Sequence, residues 1–349
     1  MKYFDIKESI TKLIKKHGLK PGMRIPPFRT LAEELNTCVP TVQRAIRQLV
    51  KEGILYSKVG SGTYISQATY KKKDKQMVGI LLPYSMGLTA DFISENLDAI
   101  RTTLMENEFI PITVSPQPGL DGHKRGEAEI TLIQQLLQYG VSGIIIDSLA
   151  PATDSFWLYL EQLDIPVVLF NNIGANYSRF DNVTSDNYLG GILAGRRLIE
   201  AKKKHCCFYT TNDSSTVEKE RYEGFCQAFA EVNLPQPSRM TVSDIDNLLE
   251  NRYDGIFTMS DNLASNIHEK CKNLHLKIPE DIAIIGFDNS VLCDRLEPKL
   301  DSIEQQFRAM GNHAAELMVK RLTMPELRER VSFRLDVALI KRNSVLSSK

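Results

Sequence analysis

The sequence has no apolar run approaching the ~20 residues that a membrane-spanning helix requires, which excludes a helical membrane protein. Its six cysteines (Cys38, Cys206, Cys207, Cys226, Cys271 and Cys293) form no C-x-x-C pair. They read as reduced, small apolar side chains of a cytoplasmic protein. The opening MKYFDIKESITKLIKK is a charged amphipathic helix rather than a secretory signal. There is no G-x-x-x-x-G-K-S/T phosphate loop and no G-x-S-x-G elbow. Gly190, Gly191 and Gly195 fall inside a helical pattern, and Gly60 and Gly62 inside a hairpin, so none of them makes a dinucleotide fingerprint. His268, Cys271 and His275 share a helix face, but Ile267, Cys271 and Leu274 make the apolar side of the same helix. No catalytic residue, metal or cofactor is expected, and the chain is not read as an enzyme.

Net charge is missing too, since 43 Lys and Arg balance 43 Asp and Glu. The balance hides an asymmetry. Residues 1–75 carry 16 Lys and Arg against 6 Asp and Glu, and the remainder carries 27 against 37. A basic end on an acidic body points to a polyanion partner at that end alone, the plainer alternative being a run of solvated charges. The length of 349 residues suits two or three domains, and 42% hydrophobic with 25% charged residues is ordinary for globular protein.

At the basic end, Ile6, Ile10, Leu13 and Ile14 fall at helical spacing and Gly18 closes the pattern. Leu31, Ala32 and Leu35 give a short second helix after Pro26-Pro27. Val42, Ala45, Ile46 and Leu49 give a third, opening near Pro40 and ended by Gly53. Its other face presents Thr41, Arg44, Gln48 and Lys51, with Gln43 and Arg47 alongside, which suits a helix that reads a DNA groove. Leu55 to Ile65 reads as two short strands around Gly60-Ser61-Gly62, a basic wing that includes Lys58.

The phrases LKPGMRIPPFRTLAEEL, TVQRAIRQLVKEGIL and GSGTYIS resemble the GntR family of winged-helix repressors. The resemblance implies a winged helix-turn-helix in which Arg29 and the start of the third helix contact DNA. Arg29, Thr41 and Arg44 keep the family pattern. Cys38-Val39 replace the usual Ser-Arg, Pro40 stands for Thr, and Gln43 for Arg, so the base preference departs from the family's. Gln43 suits a bidentate contact to adenine, a phosphate contact or plain solvation. Gly60 and Gly62 suit either a close approach to the minor groove or simply the hairpin turn.

QATYKKKDKQ, with four lysines and no apolar period, is the join: residues 1–68 form the reading domain and 69–76 a linker. From 77 to 342 apolar strands alternate with helical patterns. Strands are expected at Val78–Leu82, Ile110–Val114, Gly143–Asp147, Val167–Phe170, Cys206–Tyr209, Gly255–Met259 and Ile282–Gly286, and helices at Phe92–Glu106, Asn187–Glu200, Glu218–Val232 and Asn262–Leu274, among others. Such alternation predicts an α/β fold with two doubly wound parallel sheets, in which ligands bind beyond the carboxyl ends of strands.

The phrases VTSDNYLGGILAGRRLIEAKKKHCCFYT, ERYEGFCQAF, DGIFTMSDNLA, IPEDIAIIGFDNS and LDSIEQQFRAMGNHAAELM resemble, in order, the LacI/GalR sensors related to periplasmic sugar-binding proteins. The resemblance implies two lobes, one of about 77–183 and 308–325 and one of about 184–307 and 326–342, with 343–349 as a tail. It implies Arg221 and Asp288 as the main effector pair, with Asn171, Gln305, Phe307, Asp147 and Tyr84 around them. A guanidinium donates several fixed hydrogen bonds and a carboxylate accepts from adjacent hydroxyls, as a sugar requires. Alternatives stay open: Arg221 and Asp288 as an interlobe ion pair, Asn171 and Gln305 as loop supports, Phe307, Tyr84 and Trp157 as core. Ser260 stands where relatives have Asn, and Asp261 reads as a helix N-cap. The expected protein is a cytoplasmic homodimeric repressor on a palindromic DNA operator, released by a pentose or deoxyhexose. A nucleobase-responsive regulator is the alternative.

The basic end predicts DNA affinity that falls steeply with salt. Arg29→Ala should weaken all DNA sequences alike and flatten the salt slope, and Gln43→Ala should alter base preference. Filter binding across a salt series checks both. An unchanged slope without Arg29, or unchanged discrimination without Gln43, contradicts these assignments.

Overall fold

Apolar residues spaced three and four apart give the first 75 residues a core of their own. The computed structural model separates residues 1–75 from 76–349 as two units. It describes residues 6, 9–10, 13, 19–20, 22–51, 53–58, 60–66, 76–83, 90–120, 122–148, 155–171, 177–211, 215–245, 253–327 and 329–345. In the first unit the helices Phe28–Glu34 and Val39–Lys51 meet through Leu31, Ala32, Val42, Ala45, Ile46 and Leu49. Ile6 and Ile10 are helical and buried in the same cluster, whereas Ile14 and Gly18 lie outside the described residues.

Strands β1 (Leu55–Lys58) and β2 (Gly62–Ile65) pair antiparallel and end on Lys58 opposite Gly62. The segment before the Phe28–Glu34 helix joins them. Ile25 donates its N–H to Thr63, and Ile65 donates to Met23. This is a winged helix-turn-helix.

Among the described residues the second unit holds two six-stranded sheets. The first comprises β3 (Met77–Leu81), β4 (Ile110–Val114), β5 (Val141–Ile146), β6 (Val167–Phe170), β7 (Asp181–Ser185) and β13 (Ser332–Leu335), in the order β13-β7-β6-β5-β3-β4. The second comprises β8 (Cys206–Thr210), β9 (Ser238–Thr241), β10 (Gly255–Thr258), β11 (Ala283–Asp288), β12 (Asp301–Glu304) and β14 (Ala338–Ile340), in the order β14-β12-β11-β10-β8-β9. Every pairing in the two sheets is parallel except that of β14 with β12. Near-continuous apolar runs such as GIII and VVLF are what parallel strands covered on both faces require. The doubly wound α/β expectation holds.

Among the described residues the chain passes between lobes three times. β7 leaves the first sheet at Ser185 and leads into the Asn187–Glu200 helix, which packs on β10, β12 and β14. β12 leaves the second sheet at Glu304 and leads into the Phe307–Thr323 helix, packed on β5, β6 and β7. β13 returns from the first sheet to β14 in the second. The sequence assigned 326–342 to the second lobe, but Ser332–Leu335 pairs with Asn182–Ser185 in the first, so the boundary lies at Asp336-Val337. β7 likewise keeps Thr184 and Ser185 in the first lobe. Because β7, β12 and β13 all run toward the crossings, the carboxyl ends of both parallel sheets face the hinge.

Glycines that interrupt the helical patterns have a packing cause. The Asn187–Glu200 and Thr216–Ala230 helices cross closely, so a Cβ on Gly191 would sit 2.1 Å from the Arg221 carbonyl oxygen, and one on Gly224 1.9 Å from that of Tyr188. Two buried ion pairs tie crossing segments to their sheets. Arg197 donates to Asp301 at 3.0 Å, and Arg321 donates to both oxygens of Asp181 at 2.6 and 2.7 Å.

Gly224→Ala should be destabilising. A helical alanine gains ~1 kcal/mol over glycine, but a clash with backbone costs more, about 1–3 kcal/mol or above, so the loss wins. Thermal unfolding by circular dichroism reads it, and an unchanged midpoint would mean that the helices stand further apart than described.

Candidate effector cleft and DNA-reading surface

Polar residues stand where apolar strands end at the hinge. In the first lobe Asp147 follows β5 and is 1% exposed, and Asn171 follows β6. Asn171 takes a left-handed backbone, φ 58°, and its Nδ2 donates to Asp147 Oδ2 at 2.9 Å. Thr184, on the adjacent strand, donates its hydroxyl to the Asn171 carbonyl at 3.1 Å. One residue beyond Asp147, the Ser148 hydroxyl bonds the fully buried carboxyl of Glu129. Burial pushes Glu129 up to about 7, with nearby Asp147 adding to the rise and Ser148 and Arg125 opposing it. Tyr84 lies outside the described residues.

In the second lobe Asp288 ends β11 with φ 116°, and Gln305, in the hinge, donates Nε2 to its Oδ1 at 2.7 Å. The Gln305 Oε1 is buried and unpartnered among the described residues. Burial raises the Asp288 carboxyl above its ordinary range, opposed first by Arg221, while Asp261 adds to the rise. Arg221 comes from the Thr216–Ala230 helix and is buried. Its Nε donates to Asn187 Oδ1 at 2.9 Å, its Nη1 donates to the Met259 carbonyl at 2.5 Å, and its guanidinium lies 3.5 Å from the Phe287 ring centre. These fixed contacts leave Nη2 with no hydrogen bond among the described residues, the part of the fork free to donate outward. Phe307 is buried at the start of its helix, just past Gln305.

The hinge thus gathers Arg221, Asp288 and Gln305 on one rim, and Asp147 with Asn171 on the other. Arg221 and Asp288 belong to the same lobe, so they do not form the interlobe ion pair left open by the sequence. The helix N-cap is Ser260 and not Asp261, whose buried side chain turns toward Ser290, Cys293 and Ser302. Trp157 is core. Sequence reading missed Asn187, Met259 and Phe287 as supports of Arg221. Asn187 stood in the SDNYLGG phrase, but nothing local marks its partner 34 residues on. His268 and Cys271 are buried in the Asp261–Asn273 helix, and no group of three metal-ligating side chains occurs among the described residues.

On the winged unit Arg29 is exposed in the Phe28–Glu34 helix. Cys38 is exposed and 3.0 Å from the Thr41 hydroxyl, a contact that lowers its thiol. Arg44 is exposed and Gln43 half-buried on the Val39–Lys51 helix. Lys58 is exposed, its ammonium 5.6 and 5.9 Å from the stacked rings of Tyr64 and Tyr56. Gly60 at φ 74° and Gly62 at φ 130° adopt backbone that side chains disfavour. The guanidinium of Arg24, not singled out by the sequence reading, lies where a Gly62 side chain would be.

Residues 2–65 match the model of bacterial regulatory proteins of the gntR family, and residues 196–345 that of a periplasmic binding protein-like domain. The arabinose metabolism transcriptional repressor of Geobacillus stearothermophilus is 27% identical over 346 residues, covering 92% of this chain and 91% of that protein. The HTH-type transcriptional repressor PurR of Vibrio parahaemolyticus is 25% identical, with 79% of this chain and 83% of that protein covered. A LacI family transcriptional regulator from Enterococcus faecium, solved with bound ribose, superposes with a TM-score of 0.67 at 26% identity, over 78% of this chain and all of that one. Among the described residues no helix is long and apolar enough to cross a membrane.

Glu129 makes stability depend on pH. Its folded value lies above the ordinary 4.5, so the stability it contributes is full below that value, falls as pH rises to about 7, and is flat above. Glu129→Gln should remove about 3 kcal/mol of that decline in urea unfolding across the window. Parallel curves for the two proteins would show that Glu129 is ionised in the fold.

Proposed function

We propose that this chain, which joins a GntR-type DNA-binding domain to a periplasmic-binding-protein-like sensor, is a transcriptional repressor released from its operator by a neutral monosaccharide. The observation that carries the effector reading is the pair of polar rims at the hinge. Asp147 and Asn171 face the crossings from one lobe, and Arg221 and Asp288 from the other, with Gln305 in the hinge. Two carboxylates and one guanidinium suit a neutral polyol, whose hydroxyls both donate and accept, better than an anion. The pentose or deoxyhexose class rests on the relative named for arabinose and the neighbour holding ribose. A flat nucleobase would call for aromatic faces. Among the described cleft residues, Phe287 is covered by Arg221 and Phe307 is buried.

DNA contact falls to Arg29, Cys38, Thr41, Gln43 and Arg44 at the reading helix, and to Lys58, Gly60 and Gly62 in the wing. Two copies of the chain place two such readers on a palindromic operator in the cytoplasm. The chain carries out no catalysis in this reading. A sugar lowers operator affinity only through unequal binding to two states of the sensor. Closure of the lobes about their three crossings supplies those states.

Asp288→Ala should keep operator binding near wild type and abolish release by sugar, with sugar affinity reduced by about 2–4 kcal/mol, or ~30- to 1000-fold. A thermal-shift panel of pentoses, deoxyhexoses and nucleobases identifies the class, since a ligand at ~100 times its Kd adds about 2.7 kcal/mol of stability. Normal release from a folded Asp288→Ala protein would place the effector elsewhere, and stabilisation by a nucleobase alone would replace the sugar.

A further inference from the structure

We infer that Asp261 is a positioning residue for the effector site: buried beneath the Asp288–Ser290 turn, it holds that turn in the backbone that aims the Asp288 carboxylate at the cleft. The inference rests on the cleft reading above. Two successive non-glycine residues, Asp288 at φ 116° and Asn289 at φ 52°, leave β11 in the left-handed region. Side chains keep such backbone only where neighbours over-determine it.

Both N–H groups that follow Asp288 end on Asp261. The Ser290 N–H donates to Asp261 Oδ2 at 2.7 Å. The Asn289 N–H donates to the Ser302 hydroxyl oxygen at 3.1 Å, and that hydroxyl donates to Asp261 Oδ1 at 2.6 Å. The Cys293 thiol adds a third donor, 3.2 Å from Oδ2. From outside, Asn289 donates to Glu304 at 2.9 Å and accepts from Arg342 at 2.8 Å.

The helix that Asp261 opens does not need this carboxylate, because Ser260 already caps it. Asp261 is 1% exposed, and Gly286 leaves the space it occupies: a Cβ there would sit 2.1 Å from Oδ1. A buried carboxylate without an ion-pair partner is costly, and here its hydrogen bonds converge on the one turn that presents Asp288. Burial raises the Asp261 carboxyl as well, opposed by the donors from Ser302, Ser290 and Cys293. The groups facing Asp288 are Arg221 from one helix, Asp261 from another and Gln305 from the hinge, and Asp261 is the one that pushes it up alongside burial. The two carboxyls therefore titrate as a pair.

The test titrates the full chain with L-arabinose and D-ribose by calorimetry from about pH 5 to 8. Ser302→Ala should weaken the pentose about five- to tenfold while operator affinity without sugar stays at wild type. Asp261→Asn should weaken it too and move the midpoint of the affinity–pH curve to lower pH, since Asp288 then ionises sooner, a shift that a merely structural role would not produce. A crystal structure of the full-length Ser302→Ala protein should show the Asp288 carboxylate displaced from Gln305.

Asp288→Asn separates the two readings. If it loses the pentose while Ser302→Ala and Asp261→Asn keep wild-type affinity and midpoint, Asp261 does not position Asp288. If it binds as wild type does, or wild type binds neither pentose, the cleft reading fails, and an undisplaced Asp288 in the Ser302→Ala crystal overturns the inference on its own.

Discussion

Two parallel sheets joined by three crossings determine where the cleft of this sensor can be. A parallel strand presents its unpaired carboxyl end to whatever lies beyond the sheet. Here β7, β12 and β13 carry the chain itself across that space. The residues after β5, β6 and β11 are therefore brought to a common hinge, although they are scattered along the chain. In β5, β6 and β11, apolar sequence inside the strand and polar sequence at its carboxyl end follow from the same geometry, since the strand is covered on both faces and its end is not.

Several of the charges buried inside the lobes are tied to this geometry. Arg197 with Asp301, and Arg321 with Asp181, join the helices that follow the crossings to the strands beneath them. Such pairs contribute little net stability because desolvation offsets their attraction. Arg221 is different. It is held by Asn187, the Met259 carbonyl and the Phe287 ring, which fix the guanidinium plane before any ligand arrives. Pre-organisation of this kind lowers the ordering cost of binding.

The reading unit and the sensor are built on opposite principles. The winged unit exposes Arg29, Arg44 and Lys58 over a small apolar core. The sensor instead buries Asp147 and Arg221 where strands and helices end at the hinge. Coupling between the two requires that an effector bind unequally to two states of the sensor that differ in DNA affinity.

Local pattern alone determined much of this protein. Val42, Ala45, Ile46 and Leu49 announced the buried face of the reading helix, and Ile110–Val114, Val167–Phe170 and Asn187–Glu200 fall where periodicity put them. These elements are legible because period and burial are encoded within a few consecutive residues. β7, β9, β12, β13 and β14, with sequences such as DNVTS, SRMT and SFRL, were not legible, because short polar or edge strands owe their pairing to a distant partner. For the same reason tertiary structure alone placed β13 in the first lobe, joined Asn171 to Asp147, and turned Asp261 from a presumed cap into the support of Asp288. A hydrogen bond between residues 24, 29 or 140 positions apart leaves no period in the sequence; only the folded chain brings its two ends together.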